Sequence, residues 1–168
     1  MTARETGKGK GEGEHAGRAF PVSRFPFPRY GRLLAIDWGT KRIGLAISDP
    51  AQTVATPLGT LTRRAGRRFP MAQLRPYLET YHPVGVLLGL PLDASGAESA
   101  AAQAARETGA LIATKTGLPV AYWDERMTTA RVHRAQRETG GAGAGARRTA
   151  DPLAATLLLQ ACLDHRRS

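Results

Sequence analysis

The apolar residues of this chain fall in short runs that are too brief for helices and that stop on turn residues or acids. Residues 33–36 read Leu-Leu-Ala-Ile and end at Asp37. A continuous apolar run of that length, bounded by a turn signal, is the pattern of a buried strand. Gly39-Thr40-Lys41 supplies turn chemistry. Ile43, Leu45 and Ile47 then alternate with Gly44, Ala46 and Ser48, the period of two that belongs to a strand, and Asp49-Pro50 stops it. Residues 53–61 form a weaker third strand; residues 84–89, closed by Pro91, and residues 119–123 form two more. Helical patterns lie at 68–81, at the Ala-rich stretch 96–117, at 128–138 and at 151–165, with a Gly/Ala loop at 140–146. The order is therefore β-β-β-α-β-α-β-α-α, without internal repeats. Three hairpin-linked strands followed by strands alternating with helices imply an α/β fold: a mixed sheet, its later strands parallel, with helices on both faces.

A length of 168 residues suits one domain. Hydrophobic residues make up 42% of the chain, enough for a buried core. Lys and Arg number 24 against 14 Asp and Glu, a formal charge of +10. Such a surplus implies a polyanionic partner, either nucleic acid or an anionic membrane surface. Cys162 is the single cysteine, which excludes a disulfide scaffold and a Cys-rich zinc site and points to a reducing compartment. The chain lacks an apolar run long enough to span a membrane, roughly 18 residues, and lacks a signal-peptide core, so a cytoplasmic location is expected. Residues 1–30 hold six Lys/Arg, three Glu and five Gly with little periodicity. They cannot bury enough surface to offset their ordering entropy, so a disordered basic arm is expected there, with the folded domain at 31–168. An inert tail is the other reading of that stretch.

Three acids stand out by position. Asp37 ends the first apolar strand, Glu125 beside Asp124 ends the last strand, and Asp151 opens the final helix. Ligand sites of α/β sheets collect at the carboxyl ends of neighbouring strands, so Asp37 and Glu125 could converge there, and Asp151 could reach them from a packed helix. Clustered carboxylates repel, and a divalent cation relieves the repulsion. Mg²⁺ and Mn²⁺ take oxygen ligands, and a pair of them can activate water and stabilise a leaving oxygen in phosphodiester hydrolysis. An acidic hollow in a basic surface suits a metal nuclease: the bases hold phosphates, the acids hold metal. Each acid also has a plainer reading. Asp37 could start a turn, Asp151 with Pro152 could cap a helix, and Glu125 could pair with Arg126 or Arg131.

Other signals are weaker. Ser95-Gly-Ala-Glu98 reads as a capping box for the Ala-rich helix. Residues 141–146 match G-x-G-x-x-A but follow a helix, the wrong context for a dinucleotide. The phosphate-loop pattern G-x-x-x-x-G-K-[ST] does not occur. His82, His133 and His165 show no metal-ligand spacing. Trp38 and Trp123 could stack on bases, with packing favoured for Trp123. Arg63, Arg64, Arg67 and Arg68 form a candidate phosphate clamp, or else a solvated face.

At these residues the chain resembles the YqgF/RuvX family of ribonuclease H-like nucleases. Residues 34–49, LAIDWGTKRIGLAISD, resemble the family's opening hairpin, D-x-G-x-K-R-x-G-x-A-x-S-D. Residues 86–98, VLLGLPLDASGAE, resemble its G-x-P segment. Residues 124–129, DERMTT, resemble D-E-R-x-T-T, and residues 151–155, DPLAA, resemble its D-x-x-A-A helix. The order and spacing hold over roughly residues 31–165. The resemblance implies a ribonuclease H-like fold with a five-stranded sheet in the order 3-2-1-4-5. It implies a catalytic and metal-binding triad of Asp37, Glu125 and Asp151, served by Mg²⁺ or Mn²⁺, with Asp37 bridging two ions. Lys41 and Arg42 would sit near the scissile phosphate, and Arg126, Arg147 and Arg148 are further candidates to meet nucleic acid. Family members are described as Holliday junction resolvases and as nucleases maturing the 5′ end of pre-16S rRNA. Resolvase relatives carry their second acid at the end of the fourth strand; here that position is Leu90-Pro91, so the role passes to Glu125 and not to the nearby loop residue Asp93. Pro152, the Gly/Ala run before Arg147 and the 30-residue arm depart from the family pattern.

The reading that follows is a divalent-metal-dependent, structure-selective endonuclease acting on branched DNA (a four-way junction), structured RNA, or both. Paired incision across a two-fold axis predicts a homodimer. A non-catalytic nucleic-acid-binding module is the alternative. An ATPase of the actin and sugar-kinase type shares the phosphate-turn pattern at residues 37–40 but closes two such domains over its nucleotide, and this length supplies one.

Overall fold

The computed structural model describes residues 25–39, 42–63, 68–128 and 150–168. The elements are β1 (Leu33–Trp38), β2 (Arg42–Ser48), β3 (Ala55–Thr62), α1 (Met71–Tyr81), β4 (Gly85–Leu90), α2 (Ala100–Thr116), β5 (Val120–Asp124), a 3₁₀ turn (Glu125–Met127) and α3 (Ala150–Arg167). The five strands form one sheet in the order β3-β2-β1-β4-β5. β1 pairs antiparallel with β2 and β2 with β3, while β4 lies parallel to both β1 and β5. The mixed sheet is the one implied by the order of strands and helices. The helical pattern at 129–138 and the loop at 140–146 lie outside the described residues.

β1 is central, and its Leu33, Leu34, Ala35 and Ile36 are buried whichever face they point to. This is why its sequence runs apolar without alternation. On one face Leu33, Ala35, Ala46, Leu87, Ala121 and Trp123 pack under Ala155, Leu158, Leu159 and Cys162 of α3. On the other, Leu34, Ile36, Leu45, Val86 and Leu88 pack with Leu74 of α1 and Ile112 of α2. Helices thus cover both faces. Burial pushes the Cys162 thiol up to about 12, so this cysteine fills the core and is no nucleophile.

Two expectations change. The packed chain begins before residue 31. Phe25 and Phe27 stack on each other, Phe25 stacks on Trp123, and Phe27 lies on Gly85 in the space a side chain would take. Gln52 donates from Nε2 to the carbonyls of Pro28 and Gly31, at 2.9 Å each, and ties this segment to the β2–β3 connection. The arm's sequence is polar on average, but its last apolar residues belong to the domain.

The Ala-rich helix starts at Ala100, and its cap is Ser99, whose hydroxyl accepts from Ala102 N. The capping box at Ser95 does not form, because Asp93 takes Ser95 first. Asp93 Oδ1 accepts from Ser95 N, Ser95 Oγ and Ala97 N, while Glu98 turns to Arg106. These bonds hold the Asp93 carboxyl below the usual range, the Ser95 hydroxyl first among them.

Candidate active site

β1, β4 and β5 run parallel, so their carboxyl ends share one edge of the sheet. Side chains alternate faces along a strand. Asp37 therefore shares the α3 face with Leu33 and Ala35, and it is only 4% exposed. The β1–β4 register runs from Leu33↔Gly85 to Ile36↔Leu88, and one further step sets Asp37 beside Gly89. A Cβ on Gly89 would stand 2.6 Å from Glu125 Oε1 and 2.8 Å from Leu158 Cδ1. The Glu125 carboxylate consequently lies over Gly89, on the strand next to that of Asp37 and on the same face. Glu125 itself is 7% exposed.

Helix α3 runs back across this face. Its Leu158 sits over Gly89, its Gln160 bonds Ala55 N and Thr53 O at the start of β3, and its Arg166 reaches Gln52 and Phe27 at the opposite end of the sheet. The helix's first turn therefore lies toward the edge where Asp37 and Glu125 are found. Asp151 is in that turn, seven residues before Leu158. With 3.6 residues per turn, positions 155, 158 and 162 form one stripe, and all three are core. The side chain of Asp151 lies outside the described residues, and among those described no group of three or more His, Cys, Asp or Glu is placed to hold an ion.

The plainer reading of Asp37 as a turn starter gives way to a strand position, and of the two partners weighed for Glu125, Arg126 goes elsewhere while Arg131 lies outside the described residues. Asp37 is a buried strand residue. The turn after it depends instead on Gly39, where a Cβ would collide with the carbonyl oxygen of Arg42. It is Asp124, not Glu125, that takes Arg126. The Asp124 carboxylate receives Arg126 Nε at 3.0 Å and Arg126 Nη2 at 2.6 Å, and it caps the 3₁₀ turn through Arg126 N at 2.9 Å. That fork raises the Arg126 guanidinium further above its ordinary range and consumes donors that a phosphate would otherwise meet.

The basic candidates are spread along the same edge. Arg42 opens β2 opposite Thr62, the last residue of β3. Arg63 follows Thr62, its guanidinium 4.7 Å from the centroid of the Trp38 ring. Trp38 is half-buried and stacks on Phe69 at 5.9 Å, so its ring supports protein groups, and the base-stacking expectation gives way to packing. Trp123 is buried and donates to Thr128 Oγ1 at 2.9 Å, a packing role. Lys41, Arg64, Arg147 and Arg148 lie outside the described residues. Gly89 is the site residue that the reading of the sequence passed over; its signal was a glycine interrupting the run Val-Leu-Leu-Gly-Leu, where packing alone would favour a larger residue.

Among solved structures, the chain resembles RuvC from T. thermophilus, determined in complex with a Holliday junction substrate. The TM-score is 0.50 at 17% identity, covering 83% of this chain and 97% of that one. This likeness speaks for the fold, and the sheet order agrees with it: the class is the ribonuclease H-like α/β fold. The RuvX family model, described as Holliday junction resolvase, matches residues 31–165. A Koribacter versatilis protein named as a candidate pre-16S rRNA nuclease is 41% identical over 141 residues, which is 84% of this chain and 92% of that protein. A Paramagnetospirillum magneticum protein of the same name is 37% identical over 135 residues, 80% and 86% of the two chains. The chain belongs to the RuvX family, and it is a nuclease.

Proposed function

We propose that the chain is a divalent-metal-dependent endonuclease that cuts phosphodiester bonds in branched DNA, in structured precursor rRNA, or in both, with Asp37, Glu125 and Asp151 as its acidic set. The observation that carries this reading is the placement of two buried carboxylates, Asp37 and Glu125, on one face at the carboxyl ends of parallel strands, with Glu125 lying over Gly89 on the strand next to that of Asp37. The name of the matching family supports a junction substrate, and the names of the similar curated proteins support the 5′ processing of pre-16S rRNA.

The donor set fits Mg²⁺ or Mn²⁺. Both acids offer hard carboxylate oxygens, the donors that Mg²⁺ and Mn²⁺ take, and both are more than nine-tenths buried. Bound there, a pair of such ions would supply an activated water and charge stabilisation for the leaving oxygen. Asp37, fixed in a central strand, would define the centre of the site. Glu125 would be positioned by the 3₁₀ turn that Asp124 caps. Asp151 would add its carboxylate from the first turn of α3. Arg42 and Lys41, next to the β1–β2 turn, would hold the substrate backbone beside these acids. Two incisions across a two-fold axis would call for a homodimer, and a cytoplasmic site of action goes with the reducing environment expected for a free thiol.

The test is one assay of purified protein with a labelled four-way junction and a labelled pre-16S rRNA fragment, in EDTA and in Mn²⁺ or Mg²⁺. Cleavage only with metal, abolished by Asp37→Asn while binding persists, is the expected outcome. Cleavage that survives in Asp37→Asn would remove the acidic set. Light scattering of the protein with and without junction reads the dimer.

A further inference from the structure

The edge that carries the acids has a second side. Residues 37 and 38 point to opposite faces of the sheet, so Trp38 leaves Asp37 on the α3 side and joins the α1/α2 side. There it meets Phe69 and Arg63. Because β3 runs in the same direction as β1, its last residue, Thr62, also reaches this edge. Thr62 is clamped by one side chain: Gln73 Oε1 accepts from Thr62 N at 2.9 Å, and Gln73 Nε2 donates to Thr62 O at 3.1 Å. The amide imitates a neighbouring strand and fixes where the chain leaves the sheet. The chain is therefore fixed by Gln73 at Thr62, one residue before Arg63, and the Arg63 head rests on the Trp38 ring.

Arg63 is held differently from three arginines that carboxylates engage. Arg126 is forked on Asp124, Arg106 is bonded to Glu98, and Arg167 is bonded to Asp164. Among the described residues no carboxylate pairs with Arg63. A cation resting on a ring face keeps its N–H donors, and a guanidinium has five of them in a rigid fork suited to phosphate. Arg63 is half-buried, one residue beyond the position that pairs with Arg42.

We propose that Trp38 and Arg63 form a backbone-phosphate contact, away from the scissile bond, that holds the substrate strand passing over the corner of the sheet where β2 begins and β3 ends. It rests on the nuclease reading above and adds a contact that reads no base. Trp38 is a positioning residue: its ring keeps the guanidinium extended at the edge and reduces the freedom Arg63 would otherwise lose on binding.

The experiment measures equilibrium binding of a labelled four-way DNA junction and of a labelled pre-16S rRNA fragment over a series of salt concentrations. The proteins are the wild type, Arg63→Gln, Trp38→Leu, Trp38→Phe and the Trp38→Leu/Arg63→Gln double variant, each first checked for a cooperative thermal transition. Loss of one phosphate contact lowers the slope of log K against log salt by about 0.9 on B-DNA and about 0.7 on single strands. Arg63→Gln should show that loss on the substrate the wild type cleaves, with affinity down by roughly three- to tenfold and the kinetic cost in KM, not in kcat. Trp38→Phe, which keeps a ring face, should bind like the wild type. Trp38→Leu should bind more weakly, and the double variant should be no weaker than Arg63→Gln alone, because the indole acts through the guanidinium. An Arg63→Gln slope equal to the wild type's, or additive losses in the double variant, would overturn the proposal. A wild type that cleaves neither substrate would instead overturn the nuclease reading, and the two failures are distinct.

Discussion

The β1–β2 hairpin carries an aspartate near each end, and the two sit in different surroundings. At the open end, Asp49 accepts from Thr53 N at 2.6 Å, Val54 N at 2.9 Å and Thr53 Oγ1 at 2.7 Å. Ser48 beside it accepts from Leu33 N and donates to the Asp49 carbonyl. These charges and hydroxyls spend themselves on the chain, closing the β2–β3 connection against the start of β1. At the closed end, Asp37 is buried in the central strand with a second carboxylate, Glu125, over the next strand. Gathering like charges out of water costs folding free energy. On the proposed function this arrangement serves a ligand, and the contrast separates Asp37, which opens the motif, from Asp49, which closes it.

The largest effect that would break this contrast is at Asp37. Asn has the same shape without the charge, so Asp37→Asn should lose at least about 10³-fold in cleavage rate while its melting temperature stays within about 4 °C of the wild type. A variant that unfolds and loses activity in parallel would place Asp37 with Asp49, as a residue of the fold.

Gly89→Ala should damage both properties. The added methyl would meet the Glu125 carboxylate at 2.6 Å and Leu158 at 2.8 Å, so the acid, the helix or both must shift. Overpacking of this kind costs about 1–3 kcal/mol, and displacement of a reacting group by about an ångström costs roughly 10²-fold in rate. Denaturant unfolding and the cleavage assay read the two losses together. Normal activity in Gly89→Ala would mean that Glu125 does not need its place above β4.

Much of this arrangement is legible in the chain because it is written locally. An apolar run stopping at Asp37, a period-two strand after it and alternating strands and helices beyond are enough for a mixed sheet with helices on both faces, while the strand order and the choice of acids as a triad come from the family resemblance. What could not be read depends on competition or on distant contacts. Ser95 and Ser99 both qualify as caps, and the choice falls to Ser99 because Asp93 engages Ser95. Asp124 and Glu125 are adjacent acids beside one arginine, and only the fold shows that Arg126 goes to Asp124 and leaves Glu125 facing the sheet. Phe25 and Phe27 look like part of a polar arm until Gly85, some 60 residues on, is seen to leave a place for a ring. Gly89 is the same kind of case, a small residue whose reason lies in two other elements.

The smallest effect sharpens the contrast from the other end of the hairpin. Asp49→Ala deprives Thr53 N, Thr53 Oγ1 and Val54 N of their acceptor and should cost about 1–2 kcal/mol in denaturant unfolding at neutral pH. Its effect on cleavage per folded molecule should be far below that of Asp37→Asn, since Asp49 lies at the opposite end of the strands. The pH dependence gives a second reading. The Val54 amide bond, with those of Thr53, holds the folded Asp49 carboxyl below its ordinary value of 3.8. A group whose folded value is depressed contributes stability that is fully present above its unfolded value and is lost as pH falls through the folded one. The gap between wild type and Asp49→Ala should therefore be constant above that ordinary value and should close as the pH is taken below it. A gap that instead widened on acidification would show that the protonated carboxyl, not the carboxylate, is the form that the β2–β3 connection holds.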